Sequence, residues 1–281
     1  MKDSTEASVP TGFALIQRKI RSSPVFLAHQ IRERPKILEM VQRAPAPVQR
    51  MFARLELRPT LVPMEKLEAT YAAVLDCLGV PADGSPLVYL EFGVSQGSSM
   101  LCMYRATERV CPTRPPRLVG FDSFEGLPPE TVTVEEQGGD AWRPGDFASR
   151  QSWTESYLRA HGVPQGRVEL VKGWFSESLT SETRDRLHLS SVNVIMIDCD
   201  IYTAALEALN FCRDLIGSYA IVVFDDWGDE NTPPNVGEEK AFNEFLVANP
   251  ELIATELPEL KFHACSRVFE VVSAMSTSGL Q

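Results

Sequence analysis

The stretch Pro86-Leu-Val-Tyr-Leu-Glu-Phe-Gly-Val-Ser-Gln-Gly-Ser-Ser99 restricts the fold of this chain more than any other. Leu87 to Leu90 is a short apolar run bounded by Pro86 and, beyond Glu91 and Phe92, by Gly93. Its length and lack of polar alternation suit a strand buried on both faces and fit a helix poorly. Gly93 and Gly97 permit a tight turn and a close backbone approach, and Ser98-Ser99 open an apolar helix through Met100, Leu101, Cys102 and Met103. A strand, a glycine loop and a helix start in succession offer free backbone N–H groups to a nucleotide-like ligand. A plain strand-to-helix turn has the same pattern, so the loop alone leaves both readings open.

The chain after this stretch alternates between strand and helix patterns. Helices over 98–106, 153–159, 177–187 and 203–215 are interleaved with strands over 118–121, 168–171, 192–197 and 219–224. A helix over 237–247 then precedes β segments at 252–257 and 262–272, joined through Pro258-Glu-Leu260. This predicts an α/β fold, a doubly wound Rossmann-like parallel sheet that ends in an antiparallel hairpin. Ahead of it, residues 1–12 are small and polar, and apolar residues recur at helical spacing over 13–31, 36–57 and 64–78, with prolines at 24, 35, 45, 47 and 59 dividing them. The expected organisation is an N-terminal helical extension over 1–80, for lid or oligomer contacts, and the α/β domain over 81–281. The loop 128–150 is long for a compact domain and reads as functional.

Charge narrows the choice of partners. A net charge of −11 disfavours a nucleic-acid backbone, which needs a basic surface, and favours a small substrate. No apolar run is long enough to span a bilayer and the first residues form no signal-peptide core, so no membrane partner and a cytoplasmic location are expected. The six cysteines are scattered without zinc-ligand spacing, several inside apolar segments where a reduced thiol acts as a small hydrophobe.

In an open α/β sheet ligands bind beyond the carboxyl ends of the strands. Four of those ends are acidic: Glu91, Asp122, Asp198 with Asp200, and Asp225 with Asp226. Any one of them could be a helix N-cap or a solvated loop residue, but together they crowd one rim. Asp122 lies about one strand-helix unit past the glycine loop, where an acid can accept from both hydroxyls of a ribose, as in nicotinamide cofactors or S-adenosylmethionine. Glu91 separates these two, because an acid at the loop's head repels a pyrophosphate yet suits an ammonium and a sulfonium. The loop also lacks Gly-x-Gly-x-x-Gly spacing. Asp198, Asp225 and Asp226 supply hard oxygen ligands without histidine or cysteine, which suits Mg²⁺, with Ca²⁺ or Mn²⁺ as substitutes. Asp198, nearest the middle of the expected site, is the candidate proton acceptor and also a candidate cofactor contact. Helix caps or paired surface acids are the bland alternative.

These motifs resemble the macrocin O-methyltransferase-like family, class I S-adenosylmethionine-dependent methyltransferases of natural-product sugars and related scaffolds. The matching blocks are Leu90-Glu-Phe-Gly-Val-Ser-Gln-Gly-Ser98, Gly120-Phe-Asp-Ser-Phe-Glu-Gly-Leu-Pro128, Trp142-Arg-Pro-Gly-Asp-Phe147, Lys172-Gly-Trp-Phe175, Ile197-Asp-Cys-Asp-Ile-Tyr-Thr203 and Val223-Phe-Asp-Asp-Trp227. The resemblance implies a seven-stranded sheet with an antiparallel last strand and a magnesium-assisted O-methyltransferase acting on a small hydroxylated acceptor. It implies a cofactor site formed by Glu91, Gly93, Ser95, Gln96, Ser98, Asp122 and Ser123, with Trp174 and Phe175 near the adenine. It also implies magnesium ligation by Asp198, Asp225 and Asp226, and homo-oligomerisation. Departures are Cys199 where the family has glycine, Ile201 where it has leucine, Ser218 in its glycine pair and Trp227 in place of tyrosine.

Other residues are assigned more modestly. His263 reads as a packed or edge histidine in a β segment. Tyr202 and Trp227 fit packing and substrate contact equally. Cys199, between two acids, is a poor nucleophile. Metal-independent nitrogen or carboxylate methylation, a non-catalytic S-adenosylmethionine binder and a nicotinamide dehydrogenase remain as alternatives.

Overall fold

The computed structural model describes residues 63–79, 86–128, 144–145, 147–228, 230 and 232–274. The helices expected over 13–57, the middle of the 128–150 loop and Trp142 lie outside the described residues. Helices are α1 (Met64–Leu78), α2 (Ser98–Val110), α3 (Gln151–Ala160), α4 (Phe175–Ser178), α5 (Ser181–Arg186), α6 (Tyr202–Cys212) and α7 (Gly237–Ala248). Strands are β1 (Val88–Phe92), β2 (Arg117–Asp122), β3 (Val168–Lys172), β4 (Val194–Ile197), β5 (Tyr219–Phe224), β6 (Leu252–Glu256) and β7 (Arg267–Ser273). They form one seven-stranded sheet in the order β3-β2-β1-β4-β5-β7-β6. The first five are mutually parallel, and β7 runs antiparallel to both β5 and β6.

The strands are apolar throughout because both faces of the sheet are covered. Leu90, Phe92, Val119, Phe121, Ile195 and Ile197 face one way, towards Ala205, Leu209 and Phe211 of α6 and Phe242 of α7. Their neighbours Leu118, Tyr89, Val194, Met196, Ile221 and Val223 face the other way, into a core with Leu67 and Tyr71 of α1, Met100, Leu101 and Met103 of α2, and Tyr157 and Leu158 of α3. This period of two, apolar on both sides, is what a central parallel sheet requires. The order of strands reverses at β1, whose neighbours are β2 and β4. The crevice outside this switch point is where such sheets bind ligands.

Two expected elements differ in the structure. The helix at 177–187 is two short helices, because the Thr180 hydroxyl accepts the Thr183 N–H at 3.2 Å and caps a new helix at Ser181. The last β segment begins at Arg267 and not at 262. The Ser266 hydroxyl, fully buried, accepts the N–H groups of Phe262 (3.0 Å) and His263 (3.1 Å) and folds 262–266 into a turn. Among the described residues no helix is long and apolar enough to cross a membrane.

Candidate functional site

The strand ladders continue one residue past the strand ends and so fix the rim. The N–H of Asp198 donates to Phe92 O (2.9 Å), that of Asp225 to Ile197 O (3.0 Å), that of Gly93 to Phe121 O (3.0 Å) and that of Gly173 to Asp122 O (3.0 Å). Gly93 has φ +90, and a Cβ there would lie 1.6 Å from Asp198 O. The glycine is therefore demanded by the crossing of two backbones at the rim, apart from any ligand.

Asp122 shapes the same loop. Its Oδ2 accepts the N–H groups of Val94 (2.8 Å) and Ser95 (2.7 Å), and its Oδ1 accepts that of Phe124 (2.5 Å). Burial raises the Asp122 carboxyl and these three amides oppose the rise. Lone-pair capacity on Oδ1 remains for one further donor, such as a ribose hydroxyl. Ser95 stands at φ 45 and its carbonyl accepts the Thr154 hydroxyl at 2.6 Å, so α3 also braces the loop. Gln96 is buried and its Oε1 has no hydrogen-bond partner among the described residues, an acceptor left over for a bound donor.

Glu91 is fully buried on the α1/α2 side of β1. Its Oε2 accepts the Tyr89 hydroxyl (2.6 Å) and its Oε1 the Ser99 hydroxyl (2.5 Å), while Tyr89 and Tyr71 meet through their hydroxyls at 3.0 Å. Burial pushes the Glu91 carboxyl up to about 8 against the lowering effect of the two hydroxyls. Ser99 and the tyrosine pair carry no sequence signal of their own, since their role depends on the helices meeting over β1.

The other constellation lies at the ends of β4 and β5. Asp198, Asp225 and Asp226 each offer an oxygen, all within 4.8 Å of one another. Burial, then Asp225, Asp200, Glu91 and Glu238, hold the Asp198 carboxyl well above the ordinary range. Asp226 is raised in the same way by burial and then by Asp200, Asp225, Glu238 and Asp198. Glu238, in the first turn of α7, is fully buried; one oxygen accepts the Asp226 N–H at 3.0 Å and the other has no partner among the described residues. Three carboxylates gathered at one rim, of which Asp225 raises the proton affinity of the other two, form a donor set that fits a divalent cation.

The remaining expected residues are placed as follows. Ser123 closes its own turn, donating to Gly126 O (3.0 Å) and accepting from Glu125 N–H (3.1 Å). Ser98 starts α2, half-buried. Trp174 precedes α4, and Phe175 packs edge-on against Phe92 with centroids 5.8 Å apart. Trp227 sits among Phe224, Phe242 and Phe269 at 5.0, 5.9 and 4.9 Å, and Tyr202 donates to Glu244 at 2.5 Å, so packing holds the first and a surface pair the second. Cys199 is buried and its thiol is driven up by burial and neighbouring acids, away from nucleophilic use.

His263, read as a packing or edge residue, lies at the rim with its Nε2 2.9 Å from Asp225 Oδ1. It arrives there because β7 is antiparallel: Arg267 pairs with Phe224, so the turn before β7 meets the carboxyl end of β5. Sequence spacing carried no sign of this, as the two residues are 38 apart.

The family model for macrocin-O-methyltransferase (TylF) matches residues 59–245. This chain belongs to the macrocin O-methyltransferase family. The matched span holds Glu91, Asp122, Asp198, Asp225, Asp226 and Glu238 but not His263. As a family member the chain is an S-adenosylmethionine-dependent O-methyltransferase. Among solved structures it is similar in fold to the calicheamicin methyltransferase CalS11, with TM-score 0.58, 21% identity and coverage of 95% of this chain and 97% of that one. The O-methyltransferase NovP gives TM-score 0.55 and 19% identity over 73% of this chain and 78% of that one. Among curated proteins no relative matches.

Proposed function

We propose that this macrocin O-methyltransferase family member methylates a hydroxyl of a small natural product, a sugar moiety or related scaffold, with the help of a divalent cation, Mg²⁺, held by Asp198, Asp225 and Asp226. The observation that carries the metal is the convergence of three carboxylate oxygens within 4.8 Å at the end of β4 and β5. The sugar acceptor is favoured by the likeness to CalS11, described as a TDP-rhamnose 3'-O-methyltransferase. When bound, the cation would lower the pKa of a nearby hydroxyl and orient it.

The chain's own residues do the rest. Glu91, Gln96 and Asp122 line the glycine loop that would seat the methyl donor, Glu91 supplying negative potential for its cationic groups once ionised. When bound there, S-adenosylmethionine would supply the methyl group for in-line transfer to the acceptor oxygen, a C–O bond replacing the C–S bond as S-adenosylhomocysteine is released. Asp198 takes the hydroxyl proton. Positioning supplies much of the rate.

The test is transfer of a labelled methyl group from S-adenosylmethionine to a panel of glycosylated aglycones and nucleotide sugars, with and without EDTA. Transfer to oxygen that EDTA stops and Mg²⁺ restores is expected. Asp198→Asn or Asp225→Asn should lower turnover by about 100-fold or more while S-adenosylhomocysteine still binds. Undiminished transfer under EDTA would leave the metal-independent reading in its place.

A further inference from the structure

His263 is gripped from several directions. Its Nδ1 accepts the Cys265 backbone N–H at 3.2 Å, and the backbone N–H of His263 itself is held by the buried Ser266 hydroxyl at 3.1 Å. Ser266 in turn donates to His263 O at 3.0 Å, and the buried Phe262 ring stands edge-on to the imidazole with centroids 4.6 Å apart. An Nδ1 that accepts an amide N–H has its lone pair in use and carries no proton. The neutral ring therefore bears its proton on Nε2, which donates to Asp225 Oδ1 at 2.9 Å.

We infer that His263 is a positioning residue for the metal site: its Nε2–H fixes the rotamer of Asp225 and so presents that carboxylate to a divalent cation. This rests on the reading of Asp198, Asp225 and Asp226 as the ligand set. A carboxylate has about four lone-pair positions, so one donated hydrogen bond leaves the others for the cation. The donor's neutrality matters. A lysine or arginine in its place would cancel the charge that draws the cation in, whereas a neutral N–H orients the acid and leaves the field of Asp198, Asp226 and Glu238 intact. The antiparallel β7 provides this role, since a residue just before an antiparallel strand reaches the rim where the parallel strands end.

The test is Mn²⁺ binding to the full chain after chelator treatment, read from the free-ion electron paramagnetic resonance signal, with no donor or acceptor present. Wild type should bind Mn²⁺ and Asp225→Asn should not; a wild type that takes up no Mn²⁺ overturns the ligand set itself and this inference with it. His263→Leu should bind about 10- to 100-fold more weakly. His263→Gln, whose amide reaches the Nε2 position, should stay close to wild type. Wild-type affinity in His263→Leu, or equal weakening in Leu and Gln variants of unchanged melting temperature, overturns the positioning role. Should His263→Leu fail to fold, His263→Asn replaces it, because its amide sits at the Nδ1 position and stops short of Asp225. Weaker binding in Asn than in Gln supports the inference, and equal binding overturns it.

Discussion

Glu91 is surrounded by the hydroxyls of Tyr89 and Ser99, and the charges that act on it most are those of Asp122 and Asp225. Burial therefore sets its behaviour, raising the carboxyl from 4.5 to about 8. A group whose proton affinity is higher in the folded chain favours folding below its unfolded value, and that advantage disappears as pH rises towards the folded value. The gap corresponds to about 5 kcal/mol as an upper figure, lost between pH 4.5 and about 8 in the ligand-free enzyme. Glu91→Gln replaces the neutral acid by an amide of the same shape and should flatten this loss. Urea midpoints of the ligand-free proteins at pH 5 and pH 8.5 measure it: wild type should lose more stability than the variant, and parallel losses would show that the fold does not raise the proton affinity of Glu91. The same substitution should weaken S-adenosylmethionine binding above about pH 8, where Glu91 is a carboxylate that offsets the charge of the methyl donor. Tyr71→Phe should cost about 1 kcal/mol in denaturant, as it removes only the far end of the hydroxyl chain.

At the scale of elements, the glycine loop is a joint between β1, β2 and β4. Gly93→Ala would drive a Cβ into the Asp198 carbonyl at 1.6 Å on a residue of φ +90, whereas Gly79, at φ +63 beyond α1, has nothing within 4 Å of an added Cβ. The first change should therefore cost more than the second, because the clash adds on the order of 3 kcal/mol or more to a backbone strain of about 1 to 3 kcal/mol, which is all that Gly79, at φ 63 and ψ 174, would meet. Equal losses in urea denaturation would mean that the loop gives way without disturbing β4. Local chemistry of this kind is what the sequence made legible. The continuous apolar runs marked the strands, 219–224 to the residue, because a strand buried on both faces leaves no polar alternation. The acids in the last residues of β1 and β2 and just after β4 and β5 marked the rim for the same reason. What stayed hidden depends on contacts distant in sequence. Asp122 spends three of its hydrogen bonds on loop amides, Glu238 reaches the rim from the first turn of α7, and His263 arrives through the antiparallel β7. Thr180 and Ser266 broke expected elements through side-chain capping, which competes with periodicity and is weak in any one residue.

For the whole molecule, the acids of the rim add to a net charge of −11, and the fold keeps them close only at an electrostatic cost. Asp198, Asp226 and Glu238 are all raised, each first by burial and then by Asp225 and Asp200. Raised carboxyls bind protons more tightly in the folded chain, so the cation-free protein should lose stability as pH rises from the ordinary carboxyl range towards their folded values. A divalent cation must displace those protons, so its binding should strengthen over the same interval. The two trends predict a gap in thermal midpoint between protein with Mg²⁺ and protein with EDTA that is small near pH 5 and widens towards pH 8. At about one hundred times the dissociation constant the cation contributes about 2.7 kcal/mol, or roughly 5 to 10 °C for a domain of this size. Asp226→Asn should raise the midpoint in EDTA, by removing one of the repelling charges, and close the gap. Differential scanning calorimetry at pH 5, 6.5 and 8 distinguishes the outcomes. A gap that does not change with pH would mean that the cation binds away from these protonated acids, and a variant no more stable than wild type in EDTA would mean that the acids are held apart without strain.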